Sequence, residues 1–190
     1  MKAIAFNGSP RQGGNTEIAL KKVLNELSAA GIQTELMQIG GKIIRGCIAC
    51  MACRKNLNRS CAIDDDCVNE CIEKALSSEI IILGSPTYFS DVTAEMKALI
   101  DRMGYVTRGN GSLLKDKIGA AVVAVRRGGG IHAFDTMNHF FLISGMIVVG
   151  STYWNLCYGR EIGEVENDKE GLENMSDLGK RIAVVAKKLY

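Results

Sequence analysis

Proline is almost missing from this chain, with 2 in 190 residues, and no low-complexity stretch interrupts the sequence. Nothing marks a linker, so one domain spanning residues 1–190 is expected, with 47% hydrophobic content enough to bury one core. Histidine is as scarce. The 2 present, His132 and His139, stand seven apart on an expected helix, wider than the i,i+4 spacing of a two-histidine metal site. No apolar run approaches the roughly 20 residues of a membrane span. Met1-Lys2-Ala3-Ile4-Ala5-Phe6 turns into a glycine loop too early for a signal peptide. A cytoplasmic protein without a membrane partner is expected. Neither sign of charge dominates: 23 Lys and Arg face 21 Asp and Glu, interspersed, which leaves no basic footprint for nucleic acid.

Cysteine is what the chain has in plenty, and an odd count of 7 with no export signal reads as reduced ligands, not as a disulfide framework. Cys47, Cys50 and Cys53 form a C-x-x-C-x-x-C run, with Cys61 next along. A cubane iron–sulfur cluster needs a thiolate at each iron, and short C-x-x-C steps let one loop supply several while a more distant cysteine closes the cage. Cys61 fits that closing role, with Cys67 as the substitute. Zinc is the rival occupant, although four-cysteine zinc sites usually show two separated C-x-x-C pairs and not a triplet plus one. Lys42, Arg45, Arg54, Lys55 and Arg59 flank the thiols, and no acid intervenes between Gly40 and Cys61. Such neighbours would favour the reduced cluster, or they form a solvated basic loop. Asp64, Asp65 and Asp66 read as caps of a helix from about Cys67 to Ser77, not as metal ligands. Cys71 and Cys157 read as buried small hydrophobes.

Along the chain, short apolar runs alternate with helical periodicity. Expected strands are Lys2–Phe6, Thr34–Ile39, Ile80–Leu83, Ala120–Val125 and Met146–Val149, and the last helix carries the stripe Leu178, Ile182, Val185, Ala186, Leu189. Buried strands alternating with helices imply right-handed crossovers and a parallel sheet covered on both faces. In such a sheet ligands sit at the carboxyl ends of the strands, and three of those ends carry small glycine-containing loops. The first, Gly8 to Thr16, offers hydroxyls, an arginine and a helix N-terminus, which suit a phosphate. It is no Walker loop, since Gly14 stands where the lysine belongs and Asn15 where the magnesium-binding hydroxyl belongs. It also lacks G-x-G-x-x-G, so the common dinucleotide fingerprint is absent.

Taken together, Gly8-Ser9-Pro10-Arg11 with Asn15-Thr16, the cysteine run, Gly84-Ser85-Pro86-Thr87-Tyr88, Lys97-Ala98-Leu99-Ile100-Asp101-Arg102 and the glycines after Arg127 resemble the NADPH-dependent FMN reductases. Within that family the chain is similar to the iron–sulfur flavoproteins, which carry a compact cysteine motif after the second strand. The resemblance implies an α/β, flavodoxin-like three-layer sandwich with a five-stranded parallel sheet and a cysteine-rich loop at 41–66. It assigns the FMN phosphate to Ser9, Arg11, Gln12, Asn15 and Thr16, and the isoalloxazine border to Pro86, Thr87, Tyr88 and Phe89. It assigns backbone donors at the pyrimidine edge to Arg127, Gly128 and Gly129, and the [4Fe-4S] ligands to Cys47, Cys50, Cys53 and Cys61. The last cysteine gap is longer than the family's, so Cys67 stays open as the fourth ligand.

The expected activity is that of an FMN-dependent oxidoreductase passing electrons between flavin and cluster, with NAD(P)H as a possible donor and a ferredoxin or small molecule as acceptor. Flavin N5 carries the chemistry, which needs orientation more than an acid–base pair, so no catalytic side chain is assigned. Arg126 or Arg127 could tune the flavin potential or lie on the surface. Trp154 and Tyr158 wall a substrate pocket or an interface. A homodimer or homotetramer is implied, with flavin and cluster brought near each other across an interface. The alternatives are a cluster-free NAD(P)H-dependent FMN or quinone reductase, a non-enzymatic electron carrier, and a flavin dehydrogenase of a small metabolite.

Overall fold

A computed structural model describes all 190 residues. Three strands form the centre of a parallel sheet: β1 (Lys2–Asn7), β3 (Ile80–Pro86) and β4 (Ile118–Val125). β3 and β4 are apolar along nearly their whole length because both faces are covered. β2 (Gln33–Gln38) lies at an edge, and its residues alternate between more and less exposed. The order is β2-β1-β3-β4-β5, so the chain winds outward one way from β1 and then reverses through β3. That reversal opens a crevice at the carboxyl ends of β1 and β3.

Alternate strand residues feed two cores. Ile4, Phe6, Ile81, Leu83, Ala121 and Val123 face α3 (Val68–Leu76), α4 (Ala94–Gly109) and α5 (Gly130–Ile143). Ala3, Ala5, Ile80, Ile82, Ala120 and Val122 face α1 (Asn15–Ala29) and α6 (Lys169–Leu189). Each fully buried branched side chain contributes about 1.5–3 kcal/mol, and the sheet supplies them to both layers. The result is the expected three-layer α/β sandwich.

The fifth strand is more broken than the sequence predicts. β5 is only Ile147–Val148, and a further strand, β6 (Leu156–Tyr158), rejoins the same edge of β4 opposite Val123–Val125. Between them the chain bulges away, and Asn155 fills the gap: its side-chain amide donates to the Ala121 carbonyl at 3.0 Å, and its own carbonyl accepts from the Val123 amide at 3.0 Å. A buried side chain thus satisfies a backbone group that a continuous strand would have paired.

Residues 39–67, between β2 and α3, cross the face of α4 and hold one short helix, α2 (Ala52–Asn56), which periodicity does not reveal. Left-handed Met51 and Leu57 bound it at either end. The N-cap of α3 is Cys67, without a side-chain cap; of the expected capping acids, Asp66 just before it accepts from the Val68 amide at 3.1 Å, while Asp65 pairs with Arg45 at 2.7 Å.

Candidate functional site

At the carboxyl ends of the central strands one pocket gathers Ser9, Arg11, Asn15 and Thr16 from the first loop with Pro86, Thr87 and Tyr88 from the second. Ala124 and Arg126 from the end of β4, and Gly159 and Arg160 beyond β6, complete it. The first loop is pinned from three sides. Asn7, fully buried at the end of β1, donates to Gln38 Oε1 at 2.7 Å and accepts from the Ser9 amide at 3.0 Å. Gln38 in turn donates to the carbonyls of Ser9 and Gly40, and Thr93 Oγ1 donates to the Gly8 carbonyl at 2.9 Å.

The pocket is built for an anion. α1 begins at Gly14 with no side-chain cap, which leaves the positive end of that helix turned outward. Arg11, Arg126 and Arg160 line the pocket and no carboxylate does. The nearby Glu17 is already occupied, capping the Gly13 amide at 2.7 Å and pairing with Lys21 at 2.7 Å. The hydrogen bond from Lys21 leads the influences that hold its carboxyl below the usual range.

Two predicted phosphate residues also hold the pocket together. Arg11 Nη1 donates to the Arg160 carbonyl at 3.0 Å; Asn15 donates to the Glu161 carbonyl at 2.9 Å and accepts from the Val165 amide at 3.3 Å. These bonds stitch the first loop to the segment after β6. Sequence reasoning missed Gly159 and Arg160, because nothing local to residues 156–160 signals that they return to the β4 edge, and it missed Ala124, which reads only as part of an apolar strand. Arg126, proposed only as a tuning residue, lines the pocket itself.

Gln12, Phe89, Arg127, Gly128 and Gly129 are not brought into this pocket. Gln12 is exposed. Phe89 stands at the tip of a tight turn closed by Tyr88 and Asp91, with its ring wholly in solvent. Phe89 and Ser90 both have positive φ, 46° and 66°, which makes a turn of the I′ kind. Arg127, Gly128 and Gly129 line a neighbouring pocket with His132, Trp154 and Tyr158, among others. The two pockets adjoin through the second loop: a Cβ on Gly129, whose φ is +80°, would lie 2.9 Å from Ser90 Oγ.

Thr87 Oγ1 is buried and has no hydrogen-bond partner, an open polar valence in the wall of the pocket. A bound polar ligand would satisfy it, and without one it costs about 1–3 kcal/mol. Thr87→Val should therefore stabilise the cofactor-free protein by about 1 kcal/mol while weakening flavin binding roughly 5- to 30-fold. Urea midpoints and flavin titration check the two signs; a fall in both would mean that the hydroxyl already has a partner.

The second site lies on α4. Cys47, Cys50, Cys53 and Cys61 line one small pocket walled by Ile48, Met51, Ile63 and Val106, with Arg102 beside them. Cys61 is held most firmly. Asn69 accepts from its amide at 2.8 Å and donates to its carbonyl at 3.0 Å, while Arg102 Nε donates to its sulfur at 3.3 Å. At the other end Asn110 donates to the Cys53 carbonyl at 3.0 Å and accepts from the Arg59 amide at 3.0 Å. Burial pushes the Cys53 thiol up, and the nearby charges of Cys61 and Cys50 add to it. Cys67 is not part of this group; it neighbours Cys71, whose thiol is raised by burial first and by Cys67 next. Cys71 and Cys157 are fully buried, as the small hydrophobes expected, and burial pushes the Cys157 thiol up to about 12.

No three His, Cys, Asp or Glu side chains converge closely enough to hold a single metal ion, His132 and His139 included. The flanking positive charge is also less free than the sequence suggests. Arg45 pairs with Asp65, and the Arg54 guanidinium lies over the Tyr105 ring at 5.3 Å.

The NADPH-dependent FMN reductase family matches residues 1–161. An iron-sulfur flavoprotein of Methanocaldococcus jannaschii is 39% identical over 98% of both chains. The iron-sulfur flavoprotein of Methanosarcina thermophila is 34% identical over 97% of this chain and 95% of its own. Among solved structures, the NAD(P)H:quinone oxidoreductase from Methanothermobacter marburgensis superposes with a TM-score of 0.71, covering 95% of this chain and 96% of that one at 14% identity, which shows the fold alone. With an arginine-lined pocket at the strand reversal, beside the start of α1, and this similarity over the whole chain, the protein belongs to the NADPH-dependent FMN reductase family, among the iron-sulfur flavoproteins, as an FMN-dependent oxidoreductase.

Proposed function

We propose that the protein moves electrons between FMN and a [4Fe-4S] cluster, joining a two-electron donor such as NAD(P)H to a one-electron carrier such as a ferredoxin, or to a small-molecule acceptor. The observation that carries this reading is the gathering of Cys47, Cys50, Cys53 and Cys61 around one pocket on the helix whose other end supports the flavin loop. Thr93 touches Gly8 and Arg102 touches Cys61, nine residues along α4. Those two contacts thus lie about 14 Å apart along the helix axis.

Thiols that ring a pocket suit a multi-atom cluster. A tetrahedral zinc would instead need its sulfurs within about 3.8 Å of one another, at a Zn–S distance of about 2.3 Å. When bound, the flavin takes electrons in pairs and releases them singly, while the cluster carries one at a time. The chain supplies orientation and charge. Ser9, Arg11, Thr16 and the α1 N-terminus would receive the phosphate, Arg126 and Arg160 would favour the anionic reduced cofactor, and Pro86 to Tyr88 would wall it from water. Exposed Phe89, Leu142, Ile143 and Trp154 supply apolar surface for a homodimer or homotetramer, and reduced thiols suit a cytoplasmic setting.

Anaerobic purification with flavin mass analysis and iron and sulfide assays tests the reading. Stoichiometric FMN with matched iron and sulfide is expected, and reduction by ferredoxin should slow as salt rises, because Arg54, Lys55 and Arg59 steer an acidic partner. Stoichiometric FAD or zinc would sink it. Salt-independent kinetics with fast direct reduction by NADPH would favour the cluster-free reductase.

A further inference from the structure

Arg102 is the largest fully buried side chain in the molecule, at 1% exposure. A buried cation is retained only where good partners offset its desolvation, and a hydrophobic residue of similar volume would often serve stability equally well. Every partner of Arg102 belongs to the cysteine loop or its edge. Nε donates to Cys61 Sγ at 3.3 Å, Nη2 to the Ile63 carbonyl at 2.7 Å, and Nη1 to the Arg45 carbonyl at 3.2 Å and to the Asp66 carboxylate. Asp66 is itself buried, its side chain 3% exposed, and also accepts from the Val68 amide at 3.1 Å at the start of α3. One rigid ion pair therefore ties two helices and the loop together beside a single sulfur.

We infer that Arg102 is the positioning residue of the thiol site, orienting Cys61 and raising the site's reduction potential, with Asp66 as the counter-charge that limits the rise. This inference rests on the proposal that the four thiols hold an iron–sulfur cluster. A charge-assisted N–H donor on a ligating thiolate withdraws electron density and stabilises the state that has gained an electron; hydrogen bonds to sulfur and local charge are among the protein's means of setting such potentials. Because both groups are buried, solvent screens neither strongly. Cys47 receives only a neutral donor, the Ala49 amide, at 3.4 Å. Cys61 is thus the ligand through which the fold can act most strongly on the cluster.

The two charges predict shifts of opposite sign, which a purely structural pair does not. In the anaerobically reconstituted protein, Arg102→Gln should lower the midpoint potential of the cluster and Asp66→Asn should raise it. Each should change the oxidised-to-reduced ratio at fixed potential about tenfold, equivalent to about 59 mV for one electron. Arg102→Lys keeps the charge but loses the planar fork, and should fall between wild type and Arg102→Gln. A redox titration followed by electron paramagnetic resonance reads the potentials, with FMN, iron and sulfide contents measured alongside. If Arg102→Gln does not assemble, Asp66→Asn and Arg102→Lys still carry the signs. Unchanged potentials in variants with full iron, or shifts of the same sign, would overturn the inference. A wild-type chain that takes up FMN but no iron and sulfide would overturn the cluster proposal on which it rests, and is recognised before any variant is made.

Discussion

Cys61→Ser is expected to abolish stable cluster assembly while leaving FMN bound, and Cys67→Ser is expected to leave both cofactors in place. Cys61 lines the same pocket as the C-x-x-C-x-x-C thiols, with its backbone clamped by Asn69 and its sulfur approached by Arg102. Cys67 instead neighbours the buried Cys71. Loss of a ligand's hydrogen-bonding support alone typically weakens metal binding roughly 10- to 100-fold, and loss of the ligand should exceed that. Iron and sulfide per flavin, measured after anaerobic reconstitution, decide the matter. Full iron in Cys61→Ser together with depleted iron in Cys67→Ser would reverse the assignment.

Gly40→Ala is expected to destabilise the protein by about 3 kcal/mol and to strip it of FMN. A Cβ at Gly40 would sit 2.3 Å from the Gly8 carbonyl oxygen and 2.3 Å from the Ser9 carbonyl carbon. Both are backbone atoms in the phosphate loop, which Asn7, Gln38 and Thr93 already hold, so no flexible side chain can move aside. The loop itself must shift, and with it the donors at the start of α1. Gly46→Ala is the control, since nothing lies within 4 Å of that position. Urea midpoints and flavin content of the two variants measure the effect; a Gly40→Ala protein that binds FMN as wild type does would show that the two loops are not rigidly joined. Gly40 also begins the segment that leads to the cysteines, so the same contact connects the flavin loop to the thiol loop.

Sequence alone determined the parts of this protein that depend on local pattern. Continuous apolar runs at Ile80–Leu83 and Ala120–Val125 reveal strands covered on both faces, because only burial on two sides removes the polar residues that the edge strand β2 retains. The first loop is legible as strand, small residues and helix start, and Ser9, Arg11, Asn15 and Thr16 all line the pocket. The cysteine spacing marks Cys47, Cys50 and Cys53 as one group, and all three line the same pocket, since two residues between thiols is a property of the chain and not of the fold.

Tertiary structure decided what depends on distant segments meeting. Arg160 and Gly159 enter the arginine-lined pocket only because three residues of β6 pair with the end of β4, too short a strand to leave a pattern. The neighbourhood of Cys61 is set by Asn69 on α3 and Arg102 on α4, respectively eight and forty-one residues away along the chain. In sequence Arg102 is only the end of a helical motif, Lys97 to Arg102, with no site role. Only packing shows it buried against a carboxylate and a thiol, where desolvation makes its partners obligatory and gives its charge a strong hold on the site.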